Sequence, residues 1–206
     1  MKRLFLYMIT VLICVTLVAV FPVSGEDELY GGVIRLHILA NSDSEQDQAL
    51  KLRVRDYVLE NYGNTVYSYR DVDDAMEKTA EELDSIADMC EKFISSCGYS
   101  YPVKVTLCRE YYPTRHYEGF AFPAGEYNSL KIIIGSGEGH NWWCVLFPPM
   151  CSESAVGEAI DYSDVSVGLT KEQYEIISEG DKKHTRYAVR FKILEALESV
   201  GRLSGK

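Results

Sequence analysis

Val33-Ile34-Arg35-Leu36-His37-Ile38-Leu39-Ala40 runs directly into Asn41-Ser42-Asp43-Ser44. The first eight residues alternate weakly between apolar and polar and follow Gly31-Gly32, which predicts a strand. Ser42 and Ser44 each have an acid three positions on, Glu45 and Asp47, the spacing of a helix N-cap with a reciprocal carboxylate. A helix over Gln46 to Glu60 follows, with Leu50, Val54, Tyr57 and Val58 on one face and Lys51, Arg53 and Arg55 around the other.

Downstream, Met76, Ala80, Leu83, Ala87, Cys90 and Ile94 recur at spacings of four and three, predicting one long amphipathic helix. Asp71, Asp73 and Asp74 crowd its N-terminus, where the helix dipole favours them, and Gly98 stops it. The chain then turns β-rich. Val103, Val105 and Leu107 alternate with polar partners, Leu130 to Ile134 forms a second run, and Trp142 to Phe147 a third. Thr170 with Gln173 is a capping pair for another helix, and a last helix is expected from about Arg186 to Val200. Short connections favour antiparallel pairing. The expected fold is therefore α+β: a single domain with a mainly antiparallel sheet packed with three to four helices.

Ahead of this domain, Lys2 and Arg3 precede an uncharged run from Leu4 to Gly25. Basic start, apolar stretch and small residues at Val23-Ser24-Gly25 make the layout of an export signal or membrane anchor. Residues 1–25 are thus expected to meet the membrane, and residues 26–206 to lie outside the cytoplasm as one domain. The 206 residues carry a formal charge of −10, with 47% hydrophobic and 25% charged side chains. That balance excludes wholesale disorder and argues against a nucleic-acid partner, because phosphate binding needs a basic face.

Outside the cell, cysteines pair. Cys144 and Cys151 bracket a proline-containing segment suited to a turn, and a disulfide there would close a short loop. Cys90 sits on a helical stripe, where packing is the plain explanation. Enzyme signatures fare poorly. Gly135-Ser136-Gly137-Glu138-Gly139 follows a strand, but no Lys follows and no helix begins, so phosphate-loop and dinucleotide fingerprints fail and a turn between strands is favoured. The four histidines lack metal-ligand spacing, so neither a metal nor another cofactor is expected. His37, inside an apolar strand, is expected to be a hydrogen-bonded core histidine.

A display of aromatic and basic side chains remains. Tyr111, Tyr112, Tyr117, Phe120, Phe122 and Tyr127 cluster with Arg109, Arg115 and His116 in a stretch expected to be loop-rich. Tyr and Arg are enriched where proteins bind proteins. Arg109, Arg115, Tyr117, Tyr127, Trp142 and Trp143 are the candidate contact residues, with one of the two tryptophans alternatively structural.

Three blocks resemble the stage II sporulation protein R family. They are Ile34 to Asp43 with Asp47 to Lys51 and Val54-Arg55-Asp56; Pro123 to Leu130; and Ile134-Gly135 with Asn141 to Cys151. Val189 to Lys192 fits as well, whereas Ser152 to Gly168 matches nothing in the family pattern. The resemblance implies a protein made in the forespore and exported to the space between the forespore and mother-cell membranes. There it would activate a membrane-embedded aspartic protease of the mother cell, which processes a sigma-factor precursor. It implies a ligand and no catalytic residue. The alternative is an extracytoplasmic, cell-wall hydrolase using His140 or His116 with Cys144 or Glu138.

Overall fold

The computed structural model describes residues 26–117, 120–151 and 168–182, together with Arg3 and residues 7–11. The expected final helix at 186–200, the acidic stretch 152–167 and most of the N-terminal segment lie outside the described residues. Among the described residues, no helix is long and apolar enough to cross a membrane.

In chain order the elements are α1 (Glu26–Gly31), β1 (Ile34–Leu39), α2 (Glu45–Val58), a π-helical turn (Leu59–Gly63), α3 (Asn64–Tyr67), α4 (Val72–Glu81) and α5 (Leu83–Ser96). There follow β2 (Val103–Tyr112), β3 (Arg115–Tyr117), β4 (Phe120–Phe122), β5 (Gly125–Ile134), β6 (Asn141–Phe147) and α6 (Lys171–Lys182). The fold is α+β, and its main sheet has the strand order β2-β5-β1-β6. Both outer pairings are antiparallel, but the central β1–β5 pair is parallel, with Leu36 opposite Leu130 and Ile38 opposite Ile132. Short connections favour hairpins. They say nothing about β1, whose neighbours β5 and β6 come after the helices in the chain.

Alternation along the strands sends Leu36, Ile38, Leu130, Ile132, Ile134 and Leu146 to one face, against Leu50, Val54, Val58, Ile86, Cys90 and Ile94 of the helices. Burying each such aliphatic side chain stabilises by roughly 1.5–3 kcal/mol. A second, smaller core covers one end of the opposite face. It unites Leu29, Val33, Tyr112, Phe120, Phe122, Tyr127, Val145, Met150, Leu169 and Ile177.

Several local expectations change. The long amphipathic helix is two helices, because Glu82 leaves helical geometry at φ −106° and ψ 4°. A stripe of apolar residues specifies the buried face, not a continuous axis, and Ile86, Cys90 and Ile94 keep that face in α5. In α4 the buried row is Ala75 and Thr79, one position off the expected stripe; Thr79 Oγ1 accepts from Tyr62 Oη at 2.9 Å, and Ala80 is exposed. The aromatic stretch is not loop-rich: Tyr111 and Tyr112 extend β2, β3 pairs with β4, and β5 already begins at Gly125. Its prolines, Pro113 and Pro123, fall between strands, and the aromatic residues suit the strands themselves. The Thr170–Gln173 pair does form a reciprocal cap, with Thr170 N donating to Gln173 Oε1 at 2.8 Å and Gln173 N to Thr170 Oγ1 at 3.3 Å.

Candidate functional site

The alternation that buries Leu36 and Ile38 turns Arg35 and His37 to the other face of the sheet. Arg35 is fully buried. Its guanidinium carbon lies 4.4 Å from the centre of the Tyr112 ring and 5.1 Å from those of Phe122 and Tyr127. Aromatic faces attract a cation and offset part of its desolvation. Arg35 Nε donates to Cys144 O at 3.1 Å and Nη2 to Tyr117 Oη at 3.1 Å, while Nη1 has no partner among the described residues.

Next along the same face, His37 Nδ1 donates to Glu110 Oε2 at 2.8 Å, and its Nε2 lies 2.8 Å from Asn141 Oδ1. Glu110 also accepts from Lys131 Nζ at 2.6 Å and Ser129 Oγ at 3.2 Å. Burial alone would raise the Glu110 pKa, but the bonds from Lys131 and His37 outweigh it and hold the carboxyl below its ordinary range. Ser129 Oγ is 2.7 Å from Tyr112 Oη, so a polar spine connects the histidine to the ring under Arg35. His37 is thus a hydrogen-bonded strand histidine, as its apolar setting predicts.

The expected contact residues divide into groups. Arg115 and Tyr117 both stand on β3 and face this site: Arg115 stacks 3.9 Å over the Trp143 ring, and Tyr117 takes the Arg35 bond. Trp143 lies 5.5 Å from His37, centre to centre. Arg109 is exposed and bonds Glu126 O at 2.9 Å, away from Glu110 by strand alternation. Trp142 points to the helical face, where Arg55 lies 5.2 Å over it. Tyr127 corrects the expectation. It has no exposed surface and donates to Pro123 O at 2.6 Å, so its ring packs the second core and offers nothing to a partner from outside. Sequence reasoning missed Arg35, Glu110 and Lys131. The available signal was a charge at a strand position sharing its side with His37.

A second polar junction closes the opposite end of β1. Ser44 caps α2, its Oγ accepting from Asp47 N at 3.2 Å. The Asp47 carboxylate does not reach back to the cap residue; it takes Ser42 Oγ at 2.6 Å and Asn41 Nδ2 at 2.9 Å. Burial pushes its pKa up, but these bonds and those from Tyr101 and Ser44 bring it below the ordinary value. The glycine-rich turn is laced to the same segment: Ser136 Oγ donates to Asn41 O at 2.6 Å, Gly139 N to Ala40 O at 3.0 Å, and His140 N to Asp43 Oδ1 at 2.6 Å. Gly135 and Gly137 adopt φ +60° and +67°, which only glycine takes freely. The turn binds its own chain.

Cys144 and Cys151 form a disulfide across Cα atoms 5.7 Å apart, and Cys90, Cys97 and Cys108 are free. In that state Cys144 has no thiol to serve the hydrolase alternative. His140 is exposed with Nδ1 on Asp43, while His116 is the exposed residue of β3 and Glu138 lies in the glycine turn. Among the described residues, no three His, Cys, Asp or Glu side chains gather where they would hold a metal ion.

These features occupy a stretch matched by a family model. Residues 31–156 match the model described as stage II sporulation protein R, taking in the whole sheet, the α2 junction and the disulfide. The chain belongs to this family of sporulation proteins. It is 34% identical over 147 residues to stage II sporulation protein R of Bacillus subtilis (strain 168), an alignment covering 71% of this chain and 66% of that relative, just under two thirds. No solved structure matches the chain.

Proposed function

We propose that this chain is an exported messenger of endospore formation. It passes from the forespore into the space between the two membranes by way of residues 1–25 and there activates a membrane-embedded aspartic protease of the mother cell. That protease then removes the inhibitory pro-sequence of a sigma factor. The observation that carries the reading is the family match over residues 31–156. Supporting it, Cys144 is tied to Cys151, and the sheet bears an aromatic and arginine cluster suited to contact with another protein. The chain acts by binding and breaks no bond itself.

A ligand shifts a receptor toward its active state only through tighter binding to that state. Arg115, Tyr117 and Trp143 are the contact residues this reading favours, with exposed Arg109 and half-buried Trp142 at the margins. The test is co-expression of the full chain with the candidate protease and the sigma-factor precursor in a host that does not sporulate. Precursor cleavage that depends on this chain supports the proposal. Cleavage without it, or none with it, removes the proposal's basis.

A further inference from the structure

Two buried side-chain nitrogens lack a hydrogen-bond partner among the described residues, Arg35 Nη1 and Arg115 Nε, and both fall in one cluster. Tyr117 connects them: its hydroxyl takes Arg35 Nη2, and it stands two residues from Arg115 on the same strand face. The rings beneath the two guanidinium groups are neighbours as well, Tyr112 under Arg35 and Trp143 under Arg115, with centres 6.2 Å apart. No carboxylate among the described residues pairs with either arginine, although Lys131, Arg55, Arg70 and Lys78 each have one. Burial lowers the Arg115 pKa and the Arg35 charge lowers it further, against the opposing influence of Tyr117. A chain with formal charge −10 thus brings together, in one aromatic-walled place, two cations with no carboxylate partner among the described residues.

An unpaired buried charge is expensive, and an orphaned donor costs the full desolvation of its group. Such a cluster fits an anion that arrives from outside. The planar guanidinium fork matches a planar carboxylate, and stacking on Tyr112 and Trp143 fixes both forks in advance. A dianionic phosphate would surrender more hydration on entering these aromatic walls. We propose that Arg115 and Arg35, with Tyr117, form a binding site for a carboxylate carried on an acidic segment of the partner polypeptide. Arg115 and Tyr117, both half-buried, form its open side, and Arg35 supplies charge from behind. This deepens the signalling reading, on which it rests for the polypeptide nature of the partner.

The test titrates the purified full chain, carrying Trp142→Phe so that Trp143 alone reports, with a capped tetraglutamate peptide and separately with inorganic phosphate. The expected result is a saturable change in Trp143 emission with peptide, weakened by salt, and an affinity reduced about tenfold or more in Arg115→Met. Arg115→Lys keeps the charge without the fork and should fall between; it serves if the Met variant does not fold. An absent response, an equal response in both Arg115 variants, or tighter binding of phosphate than of peptide overturns the site. In the co-expression assay, Arg115→Met should lower precursor cleavage about tenfold; unchanged cleavage overturns the link between site and signalling. Should the unmodified chain trigger no cleavage, the signalling reading fails while the peptide titration still decides the carboxylate site.

Discussion

Lys51 Nζ donates to the main-chain carbonyl of His140 across 2.8 Å, and with it helix α2 grips the turn that leads into β6. The same ammonium bonds Gln48 Oε1 at 2.7 Å and is almost wholly buried. Burial pulls its pKa down, with the nearby Asp43 charge opposing and Arg55 adding to the fall. The first block of the family resemblance is thus tied, through α2, to the turn that leads into its third block in β6.

Replacing Lys51 with Met keeps the stem's packing and removes both bonds. The expected loss is about 1.5–3 kcal/mol, the range for a charged hydrogen bond. A urea melt measures it, and a midpoint equal to that of the unmodified chain would contradict the joint's contribution.

At Gly135 and Gly139 the joint leaves no room for a side chain. A Cβ at Gly139 would collide with the Ser42 carbonyl, and one at Gly135 would meet Asn41 Oδ1 in addition to facing a positive φ. Gly135→Ala should cost roughly 1–3 kcal/mol for the left-handed conformation, before the collision is counted. Gly98, with φ +87° and nothing near its Cβ, is the control and should lose less on the same substitution, by thermal melting.

Acid should unsettle the polar spine through Glu110. Its folded-state pKa lies below the ordinary 4.5, so its contribution is complete above that value and fades as pH falls through the folded one. Glu110→Gln removes this dependence. Stability measured in urea from pH 7 down to 3 should decline less steeply in the variant, although Asp47, also lowered, will leave a residual slope.

Cys90 should resist thiol reagents in the native chain. It is fully buried, and burial pushes its thiol up to about 12, with Glu91 adding to the effect. Mass spectrometry after alkylation should show Cys97 and Cys108 modified first and Cys90 only with unfolding.

Removing the disulfide separates ligand from enzyme. The loop from Cys144 to Cys151 is short, and opening it should cost about 2–3 kcal/mol by chain entropy. Cys144→Ser with Cys151→Ser should therefore weaken the fold yet preserve precursor cleavage in cells kept cool enough for folding. Loss of cleavage in a demonstrably folded double variant would favour a nucleophilic Cys144.

Periodicity announced the four strands of the main sheet and the longer helices because burial imposes it directly, but not β3, β4, α1 or α3. It disclosed the strand cores of β1, β2, β5 and β6, the caps at Ser44 and Thr170, and the turn role of the glycines. It could not show that β1 lies inside the sheet, since partner choice depends on residues far along the chain. The break at Glu82 was hidden because the stripe persists through α5. The candidate site was half legible. Arg115, Tyr117 and Trp143 stood out by type, whereas Arg35 was concealed in an apolar run, and Tyr127 showed that an aromatic residue's type does not fix its exposure.

The place of β1 governs the order in which this molecule can come into being. Its two neighbours, β5 and β6, are the last strands of the sheet to be synthesised, and Ile34 must wait for Asn128 and Phe147. Contacts so remote along the chain form late and slowly. A ribosome product ending anywhere before Gly125 holds β1 without either of its bonded neighbours, so the sheet cannot close around its inner strand until β5 has been made.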